Sequence, residues 1–260
     1  DGAFKAAKRV IDEGGYAVGT KSDLTSGMNS LDKQNVMWGA GIQVADQAGG
    51  YAGFFTHMDN KEGAYAKSAP KLISKQLYNR ISATDIRRDW WDPSDKESPY
   101  VSKKFSFANV ASFLGDYIYM RVEEMYFTAA EAALRLDDLK SARELMNTVM
   151  AERDPGYSAN NRSGTLLGAT TTTWTGSFLE NILTHRRIEL WGEYGRLFDV
   201  RRLGQGIDRR TDDGFSEECI SMMNRRNVNI TKADTYDWVL TIPKAELDAN
   251  PNINEEDQNP

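Results

Sequence analysis

Two apolar stripes separated by a pair of aspartates fix most of what this chain can fold into. From Ile118 to Leu136, the residues Ile118, Val122, Met125, Ala129, Ala132 and Leu136 recur at spacings of three and four. That spacing predicts one amphipathic helix. Asp137 and Asp138 interrupt the pattern, and either can accept a free backbone N–H at the start of the next helix. The second helix runs to about Arg153 and turns Leu139, Ala142, Leu145 and Val149 inward. So short a link forces the two helices to lie antiparallel. Ala129, Ala130, Ala132, Ala133 and Ala142 let their backbones approach closely.

Such a hairpin has the character of one tetratricopeptide unit, and no second copy is evident. Elsewhere, Ala3, Phe4, Ala7, Val10 and Ile11 predict an opening helix that stops at Gly14-Gly15. Asn35 to Gly39 reads as a strand, as do 103–110 and 237–243. Pro70 suits the first residue of a helix that buries Leu72, Ile73, Leu77 and Tyr78. Ser177 and Glu180 form a capping-box pattern ahead of a helix carrying Phe178, Leu179, Ile182, Leu183, Arg186, Leu190 and Trp191. The expected fold is mainly α: a tetratricopeptide-like helical hairpin scaffold with short β-strands and long irregular loops. Residues 1–117 would form a variable, loop-rich region packed on a scaffold at 118–260, within one continuous domain, and the acidic tail would be unstructured.

The stretch HRRIELWGEYGRLFDVRR at 185–202 interleaves cations with Ile188, Leu190, Trp191, Leu197, Phe198 and Val200. Arg186 falls four residues after Ile182 and four before Leu190, which points it inward, where a guanidinium needs a carboxylate. Glu189, Glu193, Glu123, Glu124 and Glu131 are the candidates. The preferred reading is a set of structural ion pairs involving Arg121, Glu131, Arg186, Arg187, Glu189 and Arg196, with an anion site as the alternative.

Net charge of −6 argues against nucleic acid. No apolar run approaches the length of a membrane span. The single cysteine, Cys219, excludes a disulfide framework and a cysteine-rich zinc site. His57 and His185 are isolated, so no metal site is expected; calcium at 58–63 or 91–95 lacks EF-hand spacing. No phosphate loop or nucleophile motif appears, and no motif favours paired acids for glycoside hydrolysis. Neither an enzyme nor a cofactor is expected.

Ligand contacts are sought in the loops at 40–69 and 84–100, which mix aromatic rings with polar groups. The candidates are Tyr51, Phe54, His57, Asp59 and Asn60 in one, and Trp90 and Trp91 in the other. If 90–91 is extended, one indole points in and the other out; the alternative is that both pack on the core or on the part of the protein beyond this chain. Trp38, Trp191 and Trp238 are expected in the core, and Trp174 in a Thr-rich loop is unassigned.

Four segments, in order, resemble the SusD/RagB family: 4–18, YMRVEEMYFTAAEAA at 119–133, ILTHRRIELWGEYGRLFDVRRLG at 182–204, and TIPKAELDANPNINEEDQNP at 241–260. His185, Tyr194 and the lengthened terminal motif depart from the family pattern. The resemblance implies the C-terminal part of an outer-membrane, cell-surface lipoprotein whose N-terminal half and lipid anchor lie outside this chain. It implies a non-catalytic glycan binder that serves a SusC-like TonB-dependent transporter. The alternative is a helical-repeat module that binds peptide or protein.

Overall fold

The computed structural model describes residues 1–46, 52–163, 176–193, 195–204 and 241–258. They form two compact units: 1–46, 52–163 and 176–193 in the first, 195–204 and 241–258 in the second. Tyr51, Trp174, Tyr194, Cys219, Trp238 and most of the strand expected at 237–243 lie outside the described residues.

The first unit runs α1 (Gly2–Glu13), α2 (Lys21–Leu24), β1 (Val36–Ala40), α3 (Phe54–Met58), α4 (Ala64–Ser68), α5 (Lys75–Tyr78), β2 (Trp91–Asp92), β3 (Val101–Ser102), β4 (Tyr117–Arg121), α6 (Val122–Arg135), α7 (Leu139–Ala151) and α8 (Phe178–Glu189). The fold is mainly helical with short strands. Helix α6 is its centre, with α1, α7 and α8 all packed on it. The hairpin forms as its spacing requires: Ala129, Ala130, Ala133 and Ala142 are fully buried, and the Asp138 carboxylate accepts from Ser141 N at 3.0 Å. Helix α1 ends where Gly14 N donates to Val10 O at 2.9 Å.

Several elements differ from expectation, some because a distant partner overrides a local pattern. The helix expected from Ile118 starts only at Val122. Residues 117–121 pair antiparallel with β1 instead, Tyr117 opposite Ala40 and Arg121 opposite Val36, as suits a run rich in aromatic and β-branched residues. Pro70 does not open a helix. Leu72 bridges Val101, and α5 is started by Ser74, whose hydroxyl accepts from Leu77 N at 3.3 Å. The strand expected at 103–110 is absent: β3 ends at Ser102, after which Phe105 and Phe107 both turn into the core. Ser177 caps α8 through Glu180 N at 3.1 Å, but the Glu180 carboxylate accepts from Gly176 N at 2.6 Å rather than closing the box on Ser177.

Position 117/118 falls inside the first unit, at the start of β4. In the second unit, α9 (Arg196–Arg202) follows Gly195, whose φ of +99° suits glycine. Helix α10 (Lys244–Ala249) precedes a tail that is ordered as far as it is described. Gln258 clamps Ile242 through Ile242 N to Oε1 at 2.8 Å and Nε2 to Ile242 O at 2.9 Å.

Phe127 is fully buried on α6. Phe127→Ala is expected to cost about 3–5 kcal/mol of stability, read as a lowered denaturation midpoint at unchanged slope.

Candidate functional site

Helix α8 is buried on nearly every side, with only Arg187 among its residues half-exposed. A helix so enclosed must bring partners for its polar side chains into the core. Glu189, at its C-terminal end, meets three guanidiniums. Oε1 accepts from Arg121 Nη1 and Arg153 Nη2, each at 3.0 Å, and Oε2 accepts from Arg153 Nε at 3.0 Å and Arg87 Nη1 at 3.1 Å. Arg153 also reaches Glu123 at 2.8 Å. Glu123 in turn accepts from Gly19 N and the Asn35 amide. Arg121 and the Lys104 ammonium converge on Glu193 at 2.7 and 2.6 Å, and Asp85 neutralises Arg87 at 2.6 Å.

Four cations (Arg87, Lys104, Arg121, Arg153) therefore face four carboxylates (Asp85, Glu123, Glu189, Glu193). No net charge remains to hold an anion, so these residues are framework. Burial pushes the Glu189 carboxyl up, but Arg153, Arg121 and Arg87 more than offset it and hold the group well below the usual range. Burial draws the Lys104 ammonium down to about 8 against the pull of Glu193. His185 is also buried. Its Nδ1 lies 2.9 Å from Arg87 Nη2, and a guanidinium only donates, so Nδ1 accepts and the ring is neutral. Burial first, and Arg87 second, hold its pKa well below the ordinary value.

Arg186 does point inward and pairs with Glu124 at 2.7 Å. Glu131 pairs with Arg135 on its own helix at 2.9 Å. Arg187 is half-buried, and Arg196 on α9 has its burial partly offset by Asp199. Asp85, Arg87, Lys104 and Arg153 were not expected. Each lies just beyond or between regular elements, where local periodicity carries no signal.

The aromatic candidates are redistributed. Trp90 and Trp91 are 2% and 1% exposed, which corrects their expected role as ligand contacts. Residues 86–90 form a 3₁₀ turn, so the in–out alternation of an extended pair does not apply. The Trp90 indole donates to Leu24 O at 2.9 Å, and Trp91 sits edge-on between Trp90 and Trp191. Asp59, 2% exposed, and the half-buried Asn60 both have partners within the fold. The Asp59 carboxylate is spent on Lys61, Glu62 and Phe107 backbone N–H groups, and the Asn60 amide staples Lys71 to Ser102. In the 91–95 loop the Asp92 carboxylate accepts from Ser94 N and Oγ at 3.0 and 2.6 Å; among the described residues no group of three or more His, Cys, Asp or Glu could hold a metal ion. His57 is exposed but stacked on Tyr65 at 4.7 Å.

Trp38, expected in the core, is instead 61% exposed on the β1–β4 ribbon. It meets Tyr119, 38% exposed, edge-on at 5.0 Å. A half-open cavity of about 250 Å³ is lined by Met28, Phe54, Phe105, Tyr117, Ile118, Tyr119 and Glu193. Phe54 thus keeps a place in the candidate site. The aromatic alternation of β4 was the available signal for this surface, and it was hidden beneath the helical spacing it also fits.

The sequence pattern of the SusD family matches residues 93–260. The chain belongs to the SusD family. Its fold is similar to a SusD superfamily protein from Bacteroides thetaiotaomicron, with TM-score 0.72 at 22% identity over 99% of this chain and 56% of that one. A SusD-like carbohydrate binding protein from Bacteroides vulgatus matches with TM-score 0.63 at 25% identity over 80% of this chain and 42% of that one. The surface glycan-binding protein A of Bacteroides uniformis matches with TM-score 0.58 at 17% identity over 98% and 55%. The chain spans about half the length of these SusD-like structures. No curated protein matches it. Among the described residues, no helix is long and apolar enough to cross a membrane.

Glu189→Gln, which leaves buried guanidiniums short of charge, is expected to cost about 3–5 kcal/mol, measurable by denaturant unfolding. His185 has a depressed folded pKa, so its contribution is fully present above about 6.5 and is lost as pH falls from there. Stability should decline between pH 7 and 5, and His185→Gln, which preserves an acceptor for Arg87, should flatten that decline in thermal melts.

Proposed function

We propose that this chain binds oligo- or polysaccharide without cutting it, at the ribbon surface formed by Trp38 and Tyr119. The observation that carries the reading is the outward-facing pair. Two large rings held at 5.0 Å across a two-stranded ribbon present hydrophobic faces to solvent, and the C–H faces of sugar rings are the apolar surfaces that such platforms accept. The ribbon is held from behind: Arg121 ends β4 inside the ion cluster, and Val122 N donates to Asn35 O at 2.9 Å. Little ordering is left to be done on binding, which favours affinity.

Family membership supports the wider setting. In this reading the protein acts at the outer-membrane surface, anchored by lipid on a part of the protein beyond this chain, and passes glycan to a SusC-like TonB-dependent transporter. It uses no cofactor and performs no hydrolysis. The carbohydrate binding named for the Bacteroides vulgatus structure and the glycan binding named for the Bacteroides uniformis protein agree with it.

Affinity electrophoresis on a panel of soluble polysaccharides tests the reading. At least one glycan should retard the protein, and Trp38→Ala should weaken that binding by about tenfold or more, the change expected from losing about 1.4 kcal/mol. Trp90→Phe should leave it unaltered. Retardation that is insensitive to both Trp38→Ala and Tyr119→Ala, or release of reducing ends from the retarding glycan, would sink it.

A further inference from the structure

The cavity beside the ribbon is poorly suited to a bare sugar. Among the described residues its walls are Met28, Phe54, Phe105, Tyr117, Ile118 and Tyr119, with Glu193 the one charged residue. Both Glu193 oxygens are already engaged by Arg121, and Oε1 by Lys104 as well. The Tyr117 hydroxyl accepts from Phe54 N at 3.3 Å. Sugar hydroxyls placed here would lose water with few partners in return. The cluster behind Glu193 balances four cations with four carboxylates, so a charged occupant gains nothing either.

We propose that this cavity receives a neutral aromatic ring carried on a saccharide, so that the site takes aryl-substituted sugars in preference to unsubstituted ones. Three observations converge on this occupant. A closed apolar cavity of about 150 Å³ accepts benzene, and this half-open one holds about 250 Å³. Phe54 already stands edge-on to Phe105 at 5.2 Å and 89°, and to Tyr117 at 6.2 Å and 61°, an array that a further ring extends. Tyr119 is both a cavity wall and half of the Trp38 pair, so one ligand can occupy the two places at once. The sugar half of the proposal rests on the stacking role of the ribbon; the ring half does not.

The experiment uses the full chain in two arms. In the first, p-cresol is titrated against protein labelled with ¹³C-methyl methionine. The Met28 methyl resonance, assigned by its loss in Met28→Leu, should shift saturably. The shift should disappear in Ile118→Phe, which fills the cavity, with Phe54→Trp as a second filler should the first fail to fold by circular dichroism. In the second, 4-nitrophenyl β-glucoside and β-galactoside are compared with their methyl counterparts by saturation-transfer competition. The aryl forms should bind about tenfold tighter, and the filled variant should erase that advantage. A Met28 resonance that p-cresol leaves in place, or an aryl glycoside no tighter than its methyl counterpart, overturns the proposal. If p-cresol and the aryl preference both register while Trp38→Ala and Tyr119→Ala both leave polysaccharide retardation unchanged, the ring site stands and the stacking reading falls.

Discussion

The carboxylate of Glu189 is the point on which the first unit depends. It lies in the interior at the end of α8, and three guanidiniums from three separate segments close on it: Arg87 from a 3₁₀ turn, Arg121 from the end of β4, and Arg153 from beyond α7. A buried ion cluster is weak evidence for net stability, since an apolar replacement can do as well. What it does supply is mutual dependence. Each arginine is tolerable in the core only while the others hold their carboxylates in place, so helix, turn and strand are registered against one another by charge as well as by packing.

That registration reaches the candidate site through Arg121. This residue closes β4, fills the N-cap position of α6 with extended backbone, and binds Glu193, which lines the cavity. The same side chain therefore aligns the ribbon bearing Tyr119 and neutralises Glu193 on the cavity wall. Lys104 strengthens the arrangement from the other side: its ammonium donates to Glu189 O, Trp191 O and Glu193, and it lies 4.6 Å from the centre of the Trp90 ring. The pair of indoles that reads as a binding motif is thus part of the support for the ribbon proposed as the binding surface.

Much of this was legible from residues alone, where the deciding forces are local. The α6–α7 hairpin, the Asp138 and Ser177 caps and the inward turn of Arg186 all follow from periodicity and short-range hydrogen bonding. What escaped depends on contacts distant in the chain. Residues 117–121 fit a helical spacing, yet pairing with 36–40 draws them into a strand. Trp38 looks like core in any strand reading, because nothing near it in the sequence tells which face of a two-stranded ribbon will be covered. Trp90 and Trp91 look hard to bury together until Leu24 supplies an acceptor 66 residues away. Arg87, Lys104 and Arg153 belong to no periodic face and could be placed only by their partners.

The two-stranded ribbon has one more implication. Its inner end is tied by Asn35, Arg121 and Glu123 to groups the core cannot spare, whereas Trp38 and Tyr119 make their main contact with each other. Under the proposed function, exchanging those two outward rings would alter what the surface recognises while leaving the ion-paired interior untouched. Selection could thus redirect such a protein toward a new nutrient through a handful of codons, at little risk to folding.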